Sequence, residues 1–257
     1  MPVEFVDFEE ARDRDGLRMV VVTGVPSPWG EAAKGILHVK QIPWVAVRLD
    51  QRNAELIQWI GCASGPVAMY EGEAPRSGWA EILLFAERLA PEPPLLPSDA
   101  ESRALVFGLS HEICGELGLG WLRRLEGIHA GLSGGGGFPA PVAKYLGDKY
   151  GYRAEDAGDV SARVVELLQM LARRLHAQRD AGSRYYLGDR LSAVDIYSAT
   201  FMALLQPLPK EECPMPDAMR AAFGSVEAAT RDALDPILIE HRDHVYRTHL
   251  ELPLTLG

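Results

Sequence analysis

Cysteine is scarce in this chain, which has only three among its 257 residues. Cys62, Cys114 and Cys213 are an odd number and lie far apart, so they form neither a disulfide framework nor a paired cysteine motif for zinc or redox chemistry. We therefore predict that each is a small buried apolar side chain.

Basic charge and long apolar runs are scarce as well. The 26 lysines and arginines are outnumbered by 36 aspartates and glutamates, which gives a formal net charge of −10. Nucleic acids and anionic membranes attract basic proteins, so we expect neither as a partner and favour a small molecule. No stretch is apolar over the roughly 18 residues of a membrane helix, and the acidic start MPVEFVDFEE is unlike a leader peptide. These features predict a cytoplasmic protein.

The amino-terminal part alternates strand and helix patterns. Residues 18–23 (RMVVVT) are a valine-rich run that predicts a buried strand, and residues 44–49 (WVAVRL) predict a second one. Between them, Pro28 fits the first position of a helix whose apolar residues recur at spacings of three and four. A helix that connects two consecutive strands implies that they are parallel, so this is a βαβ unit.

A hairpin pattern and a further helix follow. Residues 66–70 (PVAMY) predict a third strand, Glu71-Gly72 a tight turn, and residues 74–77 the stub of a fourth strand, antiparallel to the third. Residues 78–89 (GWAEILLFAERL) carry a broad apolar helix face. We predict one α/β domain over residues 1–90, in which the extension of residues 1–16 either covers a sheet edge or stays disordered.

The second domain is predicted to be all-helical. Residues 91–99 (PEPPLLPSD) contain four prolines and cannot continue a helix, so we place a domain linker there and a second domain over residues 100–257. Strand patterns nearly vanish in that domain. Residues 131–138 (GLSGGGGF) are too rich in glycine to pack and are predicted to form a mobile loop. Helical patterns run over residues 100–125, 160–178, 193–205 and 218–234.

This order of elements resembles the cytosolic glutathione transferases, and four local patterns carry the resemblance. SPWGEAAKGIL, which begins at Ser27, is similar to the Ser-Pro-aromatic helix start of serine-type enzymes such as the tau class. Gly65-Pro66-Val67 stands at the position of the family's cis-proline, and Arg76-Ser77 where the family has an acid or glutamine before serine. Residues 186–199 (YLGDRLSAVDIYSA) resemble the signature of the family's helical domain.

The resemblance implies a thioredoxin-like α/β domain, an all-helical domain and a glutathione site between them. Ser27 is implied as the donor to the glutathione sulfur, Pro66 as the cis-proline, and the backbone of Val67 as the partner of the cysteinyl part. Arg76 and Ser77 are implied as the contacts of the γ-glutamyl end. The candidates for the apolar cleft that receives an electrophile are Trp29, His111 and Trp121.

The implied function is a glutathione-dependent transferase that acts on a small hydrophobic electrophile as a homodimer, with glutathione as cosubstrate and without a metal. An isomerase, lyase or dehalogenase would differ only in the second substrate. A glutathione transferase-like protein that binds partners without catalysis is the other alternative. Cysteine at position 27, as in the omega class, would favour mixed-disulfide chemistry, whereas serine favours attack by a glutathione thiolate.

Ser27 itself has two interpretations. Serine before proline is a good helix N-cap whose oxygen accepts a hydrogen bond from the first turn, although Gly30 at the third helical position leaves no capping box. Alternatively, the hydroxyl donates to a ligand thiolate, because a helix N-terminus and a donor to sulfur both lower the pKa of a thiol.

Two polar motifs in the helical part are predicted to be structural. Ser192 and Asp195 have the spacing of a capping box. His241 and His244, in EHRDH, lie three apart without a third placed ligand, so we interpret them as surface histidines near a helix end and expect no metal site.

Overall fold

A four-stranded sheet organises the first part of the chain in the computed structural model, which describes residues 3–257. The strands, in the spatial order β1-β3-β2-β4, are β1 (Glu4–Val6), β2 (Leu17–Val21), β3 (Trp44–Arg48) and β4 (Val67–Tyr70). β2 runs parallel to β3, and helix α2 (Pro28–Val39) connects them, so the predicted βαβ unit is confirmed. β4 pairs antiparallel with β2, and the predicted fourth strand is reduced to a single antiparallel bridge between Ala68 and Arg76.

The amino-terminal extension covers a sheet edge, which is the first of the two predicted possibilities. β1 pairs parallel with β3, with Glu4 opposite Val45, and so occupies hydrogen-bonding groups that an edge strand would leave open. Helix α1 (Phe8–Asp13) follows, and its Phe8 and Ala11 are buried in a small core with Val47. Helices α3 (Ala54–Ile60) and α4 (Trp79–Leu89) complete this part of the chain.

Beyond α4 the described chain contains helices and no strand, so the all-helical prediction is confirmed. None of the helices in residues 3–257 is long and apolar enough to cross a membrane. The predicted linker is free of helix, and the buried Lys40 ammonium holds its start by donating to the carbonyls of Ala90 (2.7 Å) and Pro93 (3.0 Å). The division into domains at residues 91–99 stays a prediction. The helices are α5 (Ala100–Cys114), α6 (Leu119–Ser133), α7 (Ala140–Tyr150), α8 (Ala157–Asp180), α9 (Ala193–Phe201), α10 (Asp217–Gly224), α11 (Ala228–Ala233) and α12 (Pro236–His249).

Two of the predicted helices are each divided in two. The pattern over residues 100–125 breaks where Gly115 turns to an extended conformation, which ends α5, and Leu117 adopts a positive φ of 59° before α6 begins. The pattern over residues 218–234 is likewise interrupted between α10 and α11. Apolar spacing continues through both breaks, so periodicity alone did not reveal them.

The prediction that residues 131–138 do not pack is wrong. Phe138 is buried, lies edge-on to Phe223 at 6.5 Å between ring centroids, and donates its backbone N–H to the Gly127 carbonyl at 3.2 Å. A Cβ at Gly131 would lie 2.2 Å from the Phe138 carbonyl oxygen. Here glycine therefore permits close packing of the loop against α6.

Asp195 is a buried polar centre of the helical part. Its carboxylate accepts hydrogen bonds from the backbone N–H of Tyr186 (2.9 Å) and from both the N–H (2.8 Å) and the hydroxyl (2.7 Å) of Ser192. Its structural role is confirmed. His241 Nε2 lies 3.0 Å from the same carboxylate, and His241 is buried, so the prediction of a surface histidine is wrong.

Replacing Gly120 with alanine is expected to destabilise the fold by about 1–3 kcal/mol, because a Cβ there would lie 2.2 Å from the ring of Phe201. Urea unfolding followed by circular dichroism measures this loss. Gly108, in the middle of α5, has no atom within 4 Å of its Cβ position, so Gly108→Ala should stabilise by about 0.5–1 kcal/mol. Equal effects of the two substitutions would contradict the close contact between α6 and α9.

Candidate active site

A cavity of about 440 Å³ lies between the α/β part and helices α5, α6 and α7. On the α/β side, Val22 and Leu49 mark the ends of the parallel strands β2 and β3, where ligands bind in open α/β sheets. On the helical side the wall is rich in aromatic rings. The volume is within the range of small-molecule sites.

Ser27 lies on the α/β wall of this cavity, half-buried, at the N-cap position of α2. Its carbonyl accepts the first helical hydrogen bond from Glu31 N–H at 2.8 Å, but its side chain makes no cap hydrogen bond. The side-chain cap interpretation is therefore unsupported, and the hydroxyl is available to a ligand at the positive end of α2.

Pro66 lines the same cavity as Ser27, and the Gly65–Pro66 peptide bond is cis, as predicted. Val67 is buried in β4 opposite Val20 and is absent from the cavity lining. Ala68 exchanges both backbone hydrogen bonds with Arg76, at 2.8 and 3.0 Å. Since backbone groups alternate sides along a strand, those of Val67 face β2. Gly65, the residue before Pro66, lines the cavity in place of Val67.

The structure separates Ser77 from Arg76. Ser77 is exposed and lines the cavity immediately before Gly78, the N-cap of α4, whose N–H donates to Glu81 at 3.0 Å. Arg76 lies outside the lining, where it pairs with Glu73 and stacks over Phe85 with its Cζ 4.5 Å from the ring centroid.

The three aromatic candidates for the electrophile cleft all line the cavity. Trp29 is fixed by its indole N–H, which donates to the Cys114 carbonyl at 2.8 Å. Trp121 packs edge-on against Tyr150 at 4.7 Å between centroids. His111 is exposed and lies beside the ring of Trp79.

Of the three cysteines, Cys114 alone lines this cavity. Cys114 and Cys213 are buried, as predicted, whereas Cys62 is partly exposed. Cys114 lines the cavity, but burial raises the pKa of its thiol well above the usual value, which keeps it protonated. In residues 3–257 no group of three or more His, Cys, Asp and Glu side chains converges as metal ligands do.

Helix α7, which the sequence patterns missed, lies over the α/β side of the cavity. Gln51 donates to the Tyr145 hydroxyl at 2.8 Å, and the Lys149 ammonium donates to Ser64 Oγ at 2.9 Å. Two signals could have revealed this helix: Lys149 in its last turn, and Gly151 just beyond it in the left-handed conformation. Arg124, on α6, was also missed and lines the helical wall.

A thioredoxin-like α/β part, helices after it and a cavity at their junction are the fold of the glutathione transferases. No protein-family model matches the chain, and no curated protein matches it. Solved structures do match. A rice glutathione transferase in complex with glutathione is 18% identical, with a TM-score of 0.59 over 94% of this chain and 93% of that one. A glutathione transferase from Xanthobacter autotrophicus Py2 is 15% identical, with a TM-score of 0.57 over 92% of this chain and 96% of that one.

A third match binds a glutathione analogue. The glutathione transferase from Methylobacterium radiotolerans, in complex with glutathione sulfonate, is 19% identical, with a TM-score of 0.52 over 85% of this chain and 94% of that one. At these identities the likeness is one of fold, and function has to be argued from the site.

Proposed function

We propose that this protein is a glutathione-dependent transferase that activates the glutathione thiol for attack on a small apolar electrophile. The observation that carries the proposal is the Ser27 hydroxyl, which makes no cap hydrogen bond, at the N-terminus of α2 and in the same cavity as cis Pro66. Two solved structures with a similar fold, one in complex with glutathione and one with glutathione sulfonate, support it.

The chemistry follows from the weakness of a thiol as a nucleophile. A neutral hydroxyl that donates to sulfur stabilises the thiolate over the thiol, and the positive end of α2 acts in the same direction. The proton leaves to solvent, the thiolate forms a bond to the electrophilic carbon, and the leaving group departs with its electron pair. The protein contributes the lowered thiol pKa and the alignment of the two reactants.

The tripeptide lies along the α/β wall in this proposal. Gly65, rather than Val67, offers the backbone next to Pro66 for the cysteinyl part, because Val67 faces into the sheet. Ser77 binds the γ-glutamyl carboxylate near the start of α4. Arg76 adds its positive charge to the contact with this carboxylate only if its ion pair with Glu73 breaks.

The second substrate lies between Trp29 of α2 and the residues His111 and Trp121 of the helical side. Conjugation, isomerisation, elimination and dehalogenation share the thiolate and differ only in this substrate. A homodimer and a cytoplasmic location stay predictions.

Calorimetric titration with glutathione, in two buffers of different ionisation enthalpy at pH 6.5, tests the proposal. The further the cavity lowers the thiol pKa from its usual value near 8.5, the larger the fraction of a proton that binding releases at pH 6.5. The same linkage makes glutathione bind more tightly as pH rises from the bound pKa towards the free one. S-methylglutathione is the matched control, because it has no thiol proton to release.

Each result has a distinct meaning. Proton release with glutathione but not with its S-methyl derivative supports thiol activation. Equal binding of both ligands without proton release would favour the alternative of a binding protein without catalysis. No binding at millimolar glutathione would overturn the proposal and leave the fold to serve another ligand.

A further inference from the structure

Arg124 lines the helical wall of the cavity without an acidic partner. Among residues 3–257, no side chain forms an ion pair or a hydrogen bond with its guanidinium, and its Nε is buried without any partner. Three aromatic rings surround it: its Cζ lies 5.8 Å from the ring centroid of Trp29, 5.6 Å from that of Phe138 and 5.7 Å from that of Tyr150.

The neighbouring Arg123 shows what a structural arginine looks like in this helix. It is buried, pairs with Glu126 at 3.2 Å, and donates to the backbone carbonyls of Leu204 (3.1 Å) and Ser225. Buried charges are normally paired in this way, because removing an unpaired ion from water is costly. Arg124 has only the faces of aromatic rings, which stabilise a cation weakly. The Arg124 guanidinium is therefore a positive charge in the cavity that no acidic side chain of residues 3–257 neutralises.

Arg124 is partly buried, and this burial supports the same interpretation. It lowers the pKa of the Arg124 guanidinium from its usual value, opposed by Tyr150 rather than by a carboxylate. The one acidic residue of the cavity lining, Glu116, is exposed. An anion that enters the cavity thus meets a cation without a competing carboxylate beside it.

The position of Arg124 indicates which reactant supplies the anion. Ser27, Pro66 and Ser77 lie on the α/β wall, and the other cation of the lining, Lys149, contacts Ser64 on that side. Arg124 lies on α6, on the helical wall, with its Cζ 5.8 Å from the ring centroid of Trp29.

We propose that Arg124 binds a carboxylate of the second substrate, so that the preferred electrophile is an aromatic or similarly flat apolar acid rather than a neutral molecule. This inference rests on the proposed function and names the substrate class of the same site. The planar guanidinium fork matches a carboxylate with two hydrogen bonds, while Trp29, Trp121 and Tyr150 receive the apolar body.

A matched pair of electrophiles tests it: chlorodinitrobenzoate, with its carboxylate para to the chlorine, and the methyl ester of the same acid. With either one, the glutathione thiolate bonds to the ring carbon, chloride leaves with the C–Cl electron pair, and the thiol proton goes to solvent. We expect the acid to exceed the ester in kcat/KM by at least about tenfold, after correction for the rates without enzyme.

The Arg124→Met variant should remove this preference. The kcat/KM for the acid falls about tenfold or more, through a higher KM for the acid, while the ester and the KM for glutathione change little. Arg124→Lys should restore part of the preference, since it keeps the charge but not the fork. Arg103→Met is the control, because Arg103 also stacks on a ring, that of Phe107 at 5.2 Å, but lies outside the cavity lining.

A binding measurement without glutathione separates this inference from the proposed function. Quenching of tryptophan fluorescence by dinitrobenzoate, compared with its methyl ester, reports occupancy of the cavity, which Trp29, Trp79 and Trp121 line. Tighter binding of the acid that is lost in Arg124→Met supports the inference, and the same result without turnover would overturn only the proposed function. Equal binding of acid and ester, or a raised KM for glutathione in Arg124→Met with both electrophiles, would overturn the inference.

Discussion

The Ser27→Ala variant is expected to conjugate glutathione with a kcat/KM about tenfold to a hundredfold lower than the wild type, with nearly unchanged stability. A hydrogen bond to a charged group contributes roughly 1.5–3 kcal/mol, and here it acts on the thiolate. Because the Ser27 side chain makes no cap hydrogen bond, its loss should change the free energy of unfolding by less than about 0.5 kcal/mol.

The pH profile of the same variant gives a second readout. In the wild type, kcat/KM rises with pH until the bound thiol is fully ionised and then levels off. Removal of the donor raises the thiol pKa in the complex, so the midpoint of the profile should move to higher pH. At pH values well above both midpoints the difference in rate should shrink.

Asn53 provides the matched control for the cap interpretation of Ser27. The Asn53 side chain does cap α3, accepting from Leu56 N–H at 3.0 Å, so Asn53→Ala should lose about 1 kcal/mol of stability without loss of conjugation. If Ser27→Ala behaved like this control, with lower stability and full activity, the serine would be a cap and not a donor to the thiolate.

The Asp195→Ala variant is expected to lose about 3–5 kcal/mol of stability, the largest effect of a single substitution that we predict for folding. The carboxylate is fully buried, and its removal leaves Tyr186 N–H, the two donors of Ser192 and His241 without their acceptor. Urea unfolding, followed by circular dichroism, measures the loss.

Asp189→Ala is the control for this substitution. Asp189 is exposed and pairs with Arg190 at 3.6 Å, a contact of little energetic value, so its loss should change stability by less than about 0.5 kcal/mol. A loss below about 1 kcal/mol for Asp195→Ala would mean that the buried carboxylate is dispensable. Phe201 on α9 lies edge-on to Trp29, with 4.9 Å between the ring centroids. Partial loss of α9 packing should therefore also disturb the position of Trp29 in the cavity wall.

The sequence by itself determined the elements whose signals are local. A valine-rich run, a proline at a helix start and a second strand establish a βαβ unit, since periodicity and turn residues act within a few positions. The same local patterns placed Ser27 at the start of α2 and Pro66 before β4, and both line the cavity of the folded chain.

Only the tertiary structure decided the features that depend on distant partners. Arg123 and Arg124 are adjacent arginines in sequence, and nothing local shows that one bonds residues about 80 to 100 positions away while the other faces the cavity unpaired. The same holds for Phe138, which folds back on Gly127, and for His241, which is buried against Asp195. Burial and pairing are properties of the packed molecule, because they depend on which side chains meet after the chain has folded.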